Sequence, residues 1–269
     1  MSDAIYGRDD KPEFSLKIQN WGELERLGLD SNTISYLSTA NMYDGLKAAL
    51  YREYITGKYV LAFAGTENPA INKNVWNALS WSEWADWLNN FYQAFGDGAD
   101  QYTYAIAIGA AFTNNPNLNS SNTYITGHSL GGGLASAAAI ASGFHAYTFN
   151  AAGLHPNTVK DYPVNYANAA SLVTVYQVDW DILSWGQYVA SWPMWLFGVN
   201  HVPEAVGTKV PIDSEYDWEM FVGVTLGPLL CPLTGPIVGG GVTLGTMLYS
   251  GIMCHLMDQV IYGMEKRIF

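Results

Sequence analysis

Residues 122–142 constrain the fold of this chain more than any other stretch of its sequence. A β-branched and aromatic run, from Thr123 to Thr126, gives way to a glycine-rich turn and then to an alanine-rich segment of high helix propensity. This order predicts a strand, a sharp turn and a helix. Small side chains would let the helix pack closely on a sheet; they are Ala135, Ala137 and Ala138. The stretch therefore favours an α/β protein.

The turn itself, Gly-His-Ser-Leu-Gly at residues 127–131, fits the G-x-S-x-G pattern. In that pattern the serine is held on a strained turn between strand and helix, with its Oγ accessible. Glycines are needed where the strand and helix converge and a side chain would collide. The helix N-terminus directs N–H groups and a positive dipole end towards the serine, which suits an oxyanion. Ser129 is thus a candidate nucleophile, and the N–H of Leu130 is a candidate oxyanion donor.

The charge balance argues against a nucleic-acid partner. The chain has 24 acidic and 12 basic residues, a net charge of −12, which also disfavours electrostatic attraction to anionic lipid. No lysine or arginine lies between Asp97 and Val159, so nucleotide binding at the glycine-rich turn is disfavoured. Hydrophobic residues make up 49% of the chain and charged residues only 13%, so part of the surface is expected to meet lipid or a partner through apolar and aromatic groups.

No cofactor or metal is predicted. Two cysteines, Cys231 and Cys254, cannot form a disulfide framework or a cysteine-rich zinc site, and buried free thiols are expected. No acidic loop has the ligand spacing of a calcium site. The N-terminus lacks a basic start followed by an apolar core, so no signal peptide is predicted. We expect a protein made in the cytoplasm that either stays there or leaves by a route without a cleaved leader.

The length of 269 residues is sufficient for one large α/β domain. Residues 1–47 are predicted to be an N-terminal helical arm, loosely attached over its first 20 residues, with Asp30 capping a helix that follows. Residues 48–269 are predicted to form the main domain. Alternation of strands and helices there predicts a mostly parallel central sheet with helices on both faces. Residues 185–254 are expected to contain apolar segments that form a lid-like or membrane-facing insertion.

Two strands, Ala48–Tyr54 and Lys58–Ala64, are predicted around a turn at Thr56-Gly57. The second strand leads into a polar loop through Thr66. A loop at the carboxyl end of a central strand is where α/β sheets bind ligands, so the Thr66 N–H is a candidate second oxyanion donor. Asp86 could anchor this loop or be an exposed helix carboxylate, and both interpretations stay open.

The second half of the chain offers a candidate acid and a candidate base. Ser171–Val178 is a clear strand pattern, and Asp179 and Asp181 follow it at once, where a triad carboxylate is expected. Asp181 is favoured because Asp179 still continues the alternation of the strand. The chain order of serine, acid and histidine selects His201 or His255 as the base. We favour His255, which follows the apolar run near the C-terminus.

The apolar run itself, residues 221–254, contains 34 residues without a charge, which is long enough to span a membrane. Three prolines and eight glycines would break a single spanning helix. A buried or lid-like helical hairpin beside the site is therefore favoured. A membrane-inserting hairpin is the alternative.

Several of these segments resemble the class 3, fungal-type lipases of the α/β-hydrolase superfamily. They are Val60–Thr66, with Ala64 where the family commonly has arginine, then Asp86–Asn89, Tyr124–Gly132, Thr148–Gly153 and Asp181–Leu183. The resemblance covers about residues 48–185 and reaches the last third of the chain only through His255. It implies an α/β-hydrolase fold with Ser129 as nucleophile, His255 as base, Asp181 as its orienting acid, and Thr66 with Leu130 as oxyanion hole.

The leaderless start and the apolar run also resemble bacterial lipase effectors exported by type VI secretion. That resemblance implies an antibacterial role, a lipid substrate at a membrane interface and an inhibitory immunity protein as partner. The hypothesis is a serine lipase or phospholipase that hydrolyses carboxyl esters of membrane lipids or acylglycerols. Two alternatives are a membrane-inserting toxin that acts through residues 221–254 and a non-catalytic binding module on a hydrolase scaffold.

Overall fold

Within the residues that the structure describes, the protein is built around a seven-stranded sheet whose strands follow one another in chain order. The computed structural model describes residues 15–18, 21–38, 45–53, 55–65, 99–160, 166–181, 183–184, 203–215, 254–255 and 257–268. The strands are β1 (Ser15–Lys17), β2 (Ala48–Glu53), β3 (Tyr59–Phe63), β4 (Thr123–His128), β5 (Ala146–Phe149), β6 (Val173–Val178) and β7 (Thr208–Ile212). The first three pair in antiparallel fashion, and β3 to β7 are parallel. The predicted α/β class with a mostly parallel sheet is confirmed.

Helices lie on both faces of this sheet. In the described residues they are α1 (Trp21–Arg26), α2 (Ser31–Ser38), α3 (Ala99–Thr113), α4 (Leu130–Ser142), α5 (Pro156–Val159), α6 (Ala169–Leu172) and α7 (Met257–Ile268), with a 3-10 turn at Tyr166–Asn168. Helix α4 is buried almost throughout and shares the main core with α3 and with Leu61 and Ile125 of the sheet. Helix α7 packs on β6 and β7, where Val260 forms a separate apolar cluster with Val178 and Ile212. Val173 and Val175 of β6 belong to the main core, whereas Val178 belongs to the separate cluster. Because successive side chains of a strand point to opposite faces, the two clusters lie on opposite faces of the sheet.

Local sequence signals account for the first part of the fold. The predicted hairpin is present as β2 and β3, paired antiparallel, with Gly57 at a positive φ of 70° in the turn. The predicted helix cap is also present, because the Asp30 carboxylate accepts hydrogen bonds from the N–H groups of Asn32 and Thr33, both at 3.0 Å. These bonds satisfy N–H groups that the first turn of α2 leaves without helical partners.

Two strands were not predicted. Strand β1 lies in the segment expected to be loosely attached, yet it pairs with β2 from Ser15 to Lys17, and the following Ile18 is in the main core. Strand β7 lies within residues 185–254, and it includes Pro211, which argues against a central strand but is tolerated at an edge. Both are edge strands of few residues, too short for a periodic signal. The rest of the predicted insertion, 185–202 and 216–253, is outside the described residues.

Candidate active site

The strand, turn and helix around Ser129 have the predicted geometry. Ser129 joins β4 to α4 with φ 58° and ψ −128°, a conformation that a side-chain-bearing residue rarely adopts. A Cβ at Gly127 would overlap the carbonyl oxygen of Gly131. A Cβ at Gly131 would overlap the carbonyl oxygen of Phe63 at the end of β3. Glycine is therefore required on both sides of the serine, because the first turn of the helix touches two strands.

Hydrogen bonds hold the backbone of this turn. The Ser129 N–H donates to the carbonyl of Phe149 at 3.1 Å, and the Ser129 carbonyl accepts from the N–H groups of Ala152 at 2.8 Å and Gly132 at 2.9 Å. The N–H of Leu130, the first residue of α4, has no acceptor within the helix, as is general for a first turn. This N–H group and the positive end of the helix dipole lie beside Ser129.

The structure brings three of the predicted residues together in one line of hydrogen bonds. The Ser129 hydroxyl donates to His255 Nε2, with 2.9 Å between the two atoms. On the other side of the ring, His255 Nδ1–H donates to Asp181 Oδ1 at 2.5 Å. The three residues are 6%, 4% and 0% exposed, respectively. A buried carboxylate thus fixes the imidazole with Nε2 directed at the serine.

The two candidate acids differ in burial and in their contacts. Asp181 is fully buried and touches His255, whereas Asp179 is exposed. Between them Trp180 has a positive φ of 65°, which turns the chain at the end of β6. The second carboxylate oxygen of Asp181 accepts hydrogen bonds from the Ser184 N–H at 2.8 Å and the Ser184 hydroxyl at 2.6 Å.

Some predicted site residues are outside the described residues: Thr66, Asp86 and His201. Gly65, which precedes Thr66, is described, and its nitrogen lies 2.8 Å from the position of a Cβ on Gly131. Gly65 therefore lies against the first turn of α4.

Three polar residues next to the site were not predicted: His128, Asn150 and Ser184. Ser184 follows Asp181 by three residues, a spacing at which an aspartate commonly caps a helix, so a sequence signal existed for it. His128 and Asn150 act on the backbone of residues 254–255, more than 100 positions further along the chain. No local pattern could have indicated those contacts.

Other kinds of site find no support in the described part of the chain. Its histidine, cysteine, aspartate and glutamate side chains form no group that could hold a metal ion. Among the helices with described residues, none is both long and apolar enough to cross a bilayer. In the described part of the chain, Cys254 is buried, is not in a disulfide, and its Sγ lies 3.1 Å from the Ser214 hydroxyl oxygen. Cys231 lies outside the described residues, as does the apolar run up to residue 253.

The described site therefore combines a serine on a strand-turn-helix of an α/β protein with a histidine and a buried carboxylate that are hydrogen-bonded to it in series. Comparison with known proteins shows the family. A family model described as the Tle-like phospholipase domain, of the type VI lipase effector family, matches residues 1–210, and the chain belongs to this phospholipase-like family. The resemblance to lipases inferred from the sequence is thereby confirmed.

One curated relative is an extracellular phospholipase A1 from Serratia liquefaciens. It is 32% identical to this chain over 215 residues, which cover 75% of the chain. The same match covers 57% of the relative, so the chain spans little more than half the length of that protein.

Proposed function

We propose that this chain is a serine phospholipase or lipase that hydrolyses carboxyl-ester bonds of membrane lipids. The observation that carries the proposal is the continuous line of hydrogen bonds from Ser129 through His255 to the buried Asp181. The family supplies the lipid class, and the name of the Serratia relative favours a phospholipid over a triacylglycerol.

In the proposed first step, Ser129 Oγ attacks the acyl carbonyl carbon of the lipid. Its proton passes to His255 Nε2, 2.9 Å away, as the new C–O bond forms. The Asp181 carboxylate keeps the proton of the resting imidazole on Nδ1, which leaves Nε2 free to accept, and it then stabilises the imidazolium. Burial of all three side chains strengthens this charge interaction, because little water screens it.

The negative charge on the former carbonyl oxygen needs donors that are already in place. The Leu130 N–H at the start of α4 is one proposed donor, and the Thr66 N–H is the other. The contact of Gly65 with Gly131 supports this pairing, because it brings the residue before Thr66 beside the helix N-terminus. The role of Thr66 itself rests on its place in the sequence.

The tetrahedral intermediate then collapses. His255 gives its proton to the leaving alkoxide oxygen, which releases a lyso-phospholipid (or, from a triacylglycerol, a diacylglycerol) and leaves an acyl group on Ser129. Water attacks this acyl ester with His255 again as the base. The fatty acid leaves, and the proton returns to the serine oxygen.

We also propose the α/β-hydrolase topology with an apolar lid. Serine, acid and histidine occur in the chain order of that fold, and each follows or adjoins the parallel part of the sheet. The apolar run 221–254 ends next to His255, which supports a lid over the lipid site. In the wider proposal, this chain is an antibacterial effector controlled by an immunity protein; the family match favours that role.

The test uses sealed phospholipid vesicles and a triacylglycerol emulsion, with released fatty acid and lyso-lipid measured by mass spectrometry. The wild type, Ser129→Ala and Ser136→Ala are compared. Ser136 is a matched control, a buried serine of the same helix whose hydroxyl donates to the Gly132 carbonyl. We expect release by the wild type and Ser136→Ala, and a loss of about 10⁴-fold or more in Ser129→Ala. Position-labelled phospholipid identifies the acyl chain that is cleaved.

Other outcomes would point to the other functions. Leakage of a trapped dye by both wild type and Ser129→Ala, without lipid hydrolysis, would support a membrane-inserting toxin. Binding to vesicles with neither leakage nor hydrolysis would support a binding module. For the effector proposal, wild-type protein directed to the bacterial periplasm should arrest growth, and Ser129→Ala should not.

A further inference from the structure

His128, the residue before Ser129, contacts the backbone that carries the proposed catalytic base. Its Nε2–H donates a hydrogen bond to the carbonyl oxygen of His255 at 2.7 Å. The two imidazole rings also pack together, with their centroids 4.9 Å apart and an angle of 41° between their planes. His128 is almost completely buried. Because the acceptor is a carbonyl, the proton of a neutral His128 must be on Nε2, so this nitrogen cannot act as a base.

Asn150, the residue after β5, contacts the backbone of the same segment, residues 254–255. Its side-chain NH₂ group donates to the carbonyl of Cys254 at 2.9 Å and lies 3.4 Å from that of His255. Its side-chain oxygen accepts from the N–H of Val178 at 2.8 Å. Asn150 is fully buried and has a positive φ of 42°, a conformation that asparagine adopts more readily than most residues.

Together these two side chains join the three segments of the site. His128 is on the strand that leads into Ser129, and Asn150 is bonded to the end of β6, three residues before Asp181. Both donate to peptide carbonyls at residues 254–255. The position of the His255 side chain relative to its two partners therefore depends on bonds to its backbone, in addition to the bonds made by its ring.

We propose that His128 and Asn150 are positioning residues that hold the backbone of residues 254–255 so that His255 Nε2 faces Ser129. This inference rests on the proposed function, because it matters only if His255 is the base. A displacement of about 1 Å at a reacting group can lower a rate about 100-fold. Loss of either anchor should therefore reduce kcat for any ester while the binding of substrate is unchanged.

Four substitutions separate donor, ring and backbone effects. His128→Phe keeps a ring against His255 and removes the donor, whereas His128→Gln keeps an N–H donor at similar reach. Asn150→Asp keeps the acceptor for Val178 and replaces the donor to Cys254 with a carboxylate oxygen. Asn150→Gly removes the side chain but suits the positive φ.

The assay measures kcat and KM on a short-chain, water-soluble nitrophenyl ester, so that lipid-interface binding does not enter. Active sites are counted with a fluorophosphonate, and folding is checked by circular dichroism and thermal unfolding. We expect His128→Phe and Asn150→Asp to lower kcat per titrated site about 10- to 100-fold. KM should stay within about 2-fold of wild type, and His128→Gln should recover most of the loss.

A wild-type kcat per titrated site in folded His128→Phe and Asn150→Gly would overturn the inference and leave the proposed function intact. A loss that His128→Gln does not recover, with KM raised in parallel, would also overturn it, because general disturbance of the fold would then be the cause. If His128→Phe does not fold, the same criteria are applied to His128→Gln and Asn150→Asp.

Failure of the proposed function is recognised separately, because the wild type would then be inactive or Ser129→Ala and His255→Ala would be as active as wild type. In that case the inference about His128 and Asn150 would be refuted together with the proposed function.

Discussion

Replacing Asp181 with asparagine tests the orientation of the imidazole with almost no change in shape. In the wild type, Oδ2 of Asp181 accepts two hydrogen bonds from Ser184, and Oδ1 accepts one from His255. Asparagine has one oxygen and one NH₂ group. The two Ser184 donors should attract the oxygen, which leaves the NH₂ group facing Nδ1 of the histidine.

An NH₂ group at that place favours the imidazole tautomer with a bare Nδ1 and a proton on Nε2. A protonated Nε2 cannot accept the proton of Ser129, so the nucleophile is not activated. In serine proteases the equivalent change lowers kcat about 10⁴-fold, and we expect a loss of that order here, equal to about 5 kcal/mol in the activation free energy. Because Asp181 lies behind the ring, KM should change little.

The assay is the soluble-ester kinetics described above, with Asp179→Asn as the matched control. Asp179 is an exposed aspartate two residues away, and its replacement should change kcat less than about 2-fold. Circular dichroism and thermal unfolding verify that both variants fold. A loss below about 10-fold in Asp181→Asn, or an equal loss in Asp179→Asn, would refute the tautomer argument.

Three further predictions concern neighbouring residues. Ser184→Ala should lower kcat about tenfold on the soluble ester, because the buried carboxylate loses one of two donors at Oδ2. Gly131→Ala should lower the free energy of unfolding by about 1–3 kcal/mol in a urea titration, because the new Cβ meets the backbone at the end of β3. Gly57→Asn is the control and should be near neutral, because Gly57 has open space around it and a positive φ. Asp30→Ala should cost about 1 kcal/mol of stability through loss of the helix cap. The hydrogen bond from the Thr33 side chain lowers the pKa of Asp30. The contribution of ionised Asp30 to the free energy of unfolding is therefore present above the ordinary carboxyl pKa and is lost as the pH falls through the lowered pKa. The unfolding free energies of wild type and Asp30→Ala, measured against pH, should converge in acid.

Some features could be predicted because neighbouring residues decide them. The turn at Ser129 depends on glycines at positions where strand and helix converge, and the cap at Asp30 depends on a carboxylate two and three residues before the N–H groups that it binds. The hairpin of β2 and β3 is equally local. The groups that form the Asp30 cap, and those that meet where Gly127 faces Gly131, are only a few residues apart, so the sequence alone contained the signal.

The choice among the candidate acids and bases was not local in this sense. The sequence favoured Asp181 over Asp179 from strand alternation, but the contact with His255 depends on the turn at Trp180 and on a segment 74 residues away. Strand β7 could likewise not be predicted from the sequence. Pro211 argues against a strand, and it is tolerated there only because β7 is the last strand of the described sheet.

What the sequence determined by itself was the nucleophile turn, the α/β class and the chain order of the proposed catalytic groups. The tertiary structure decided which acid meets the histidine and which polar residues contact the backbone of residues 254–255. His128 and Asn150 make these contacts across more than 100 positions. Such contacts arise only when the sheet brings the carboxyl ends of β4, β5 and β6 to one edge, because hydrogen bonds need atoms about 3 Å apart and the sequence specifies no distance between remote residues.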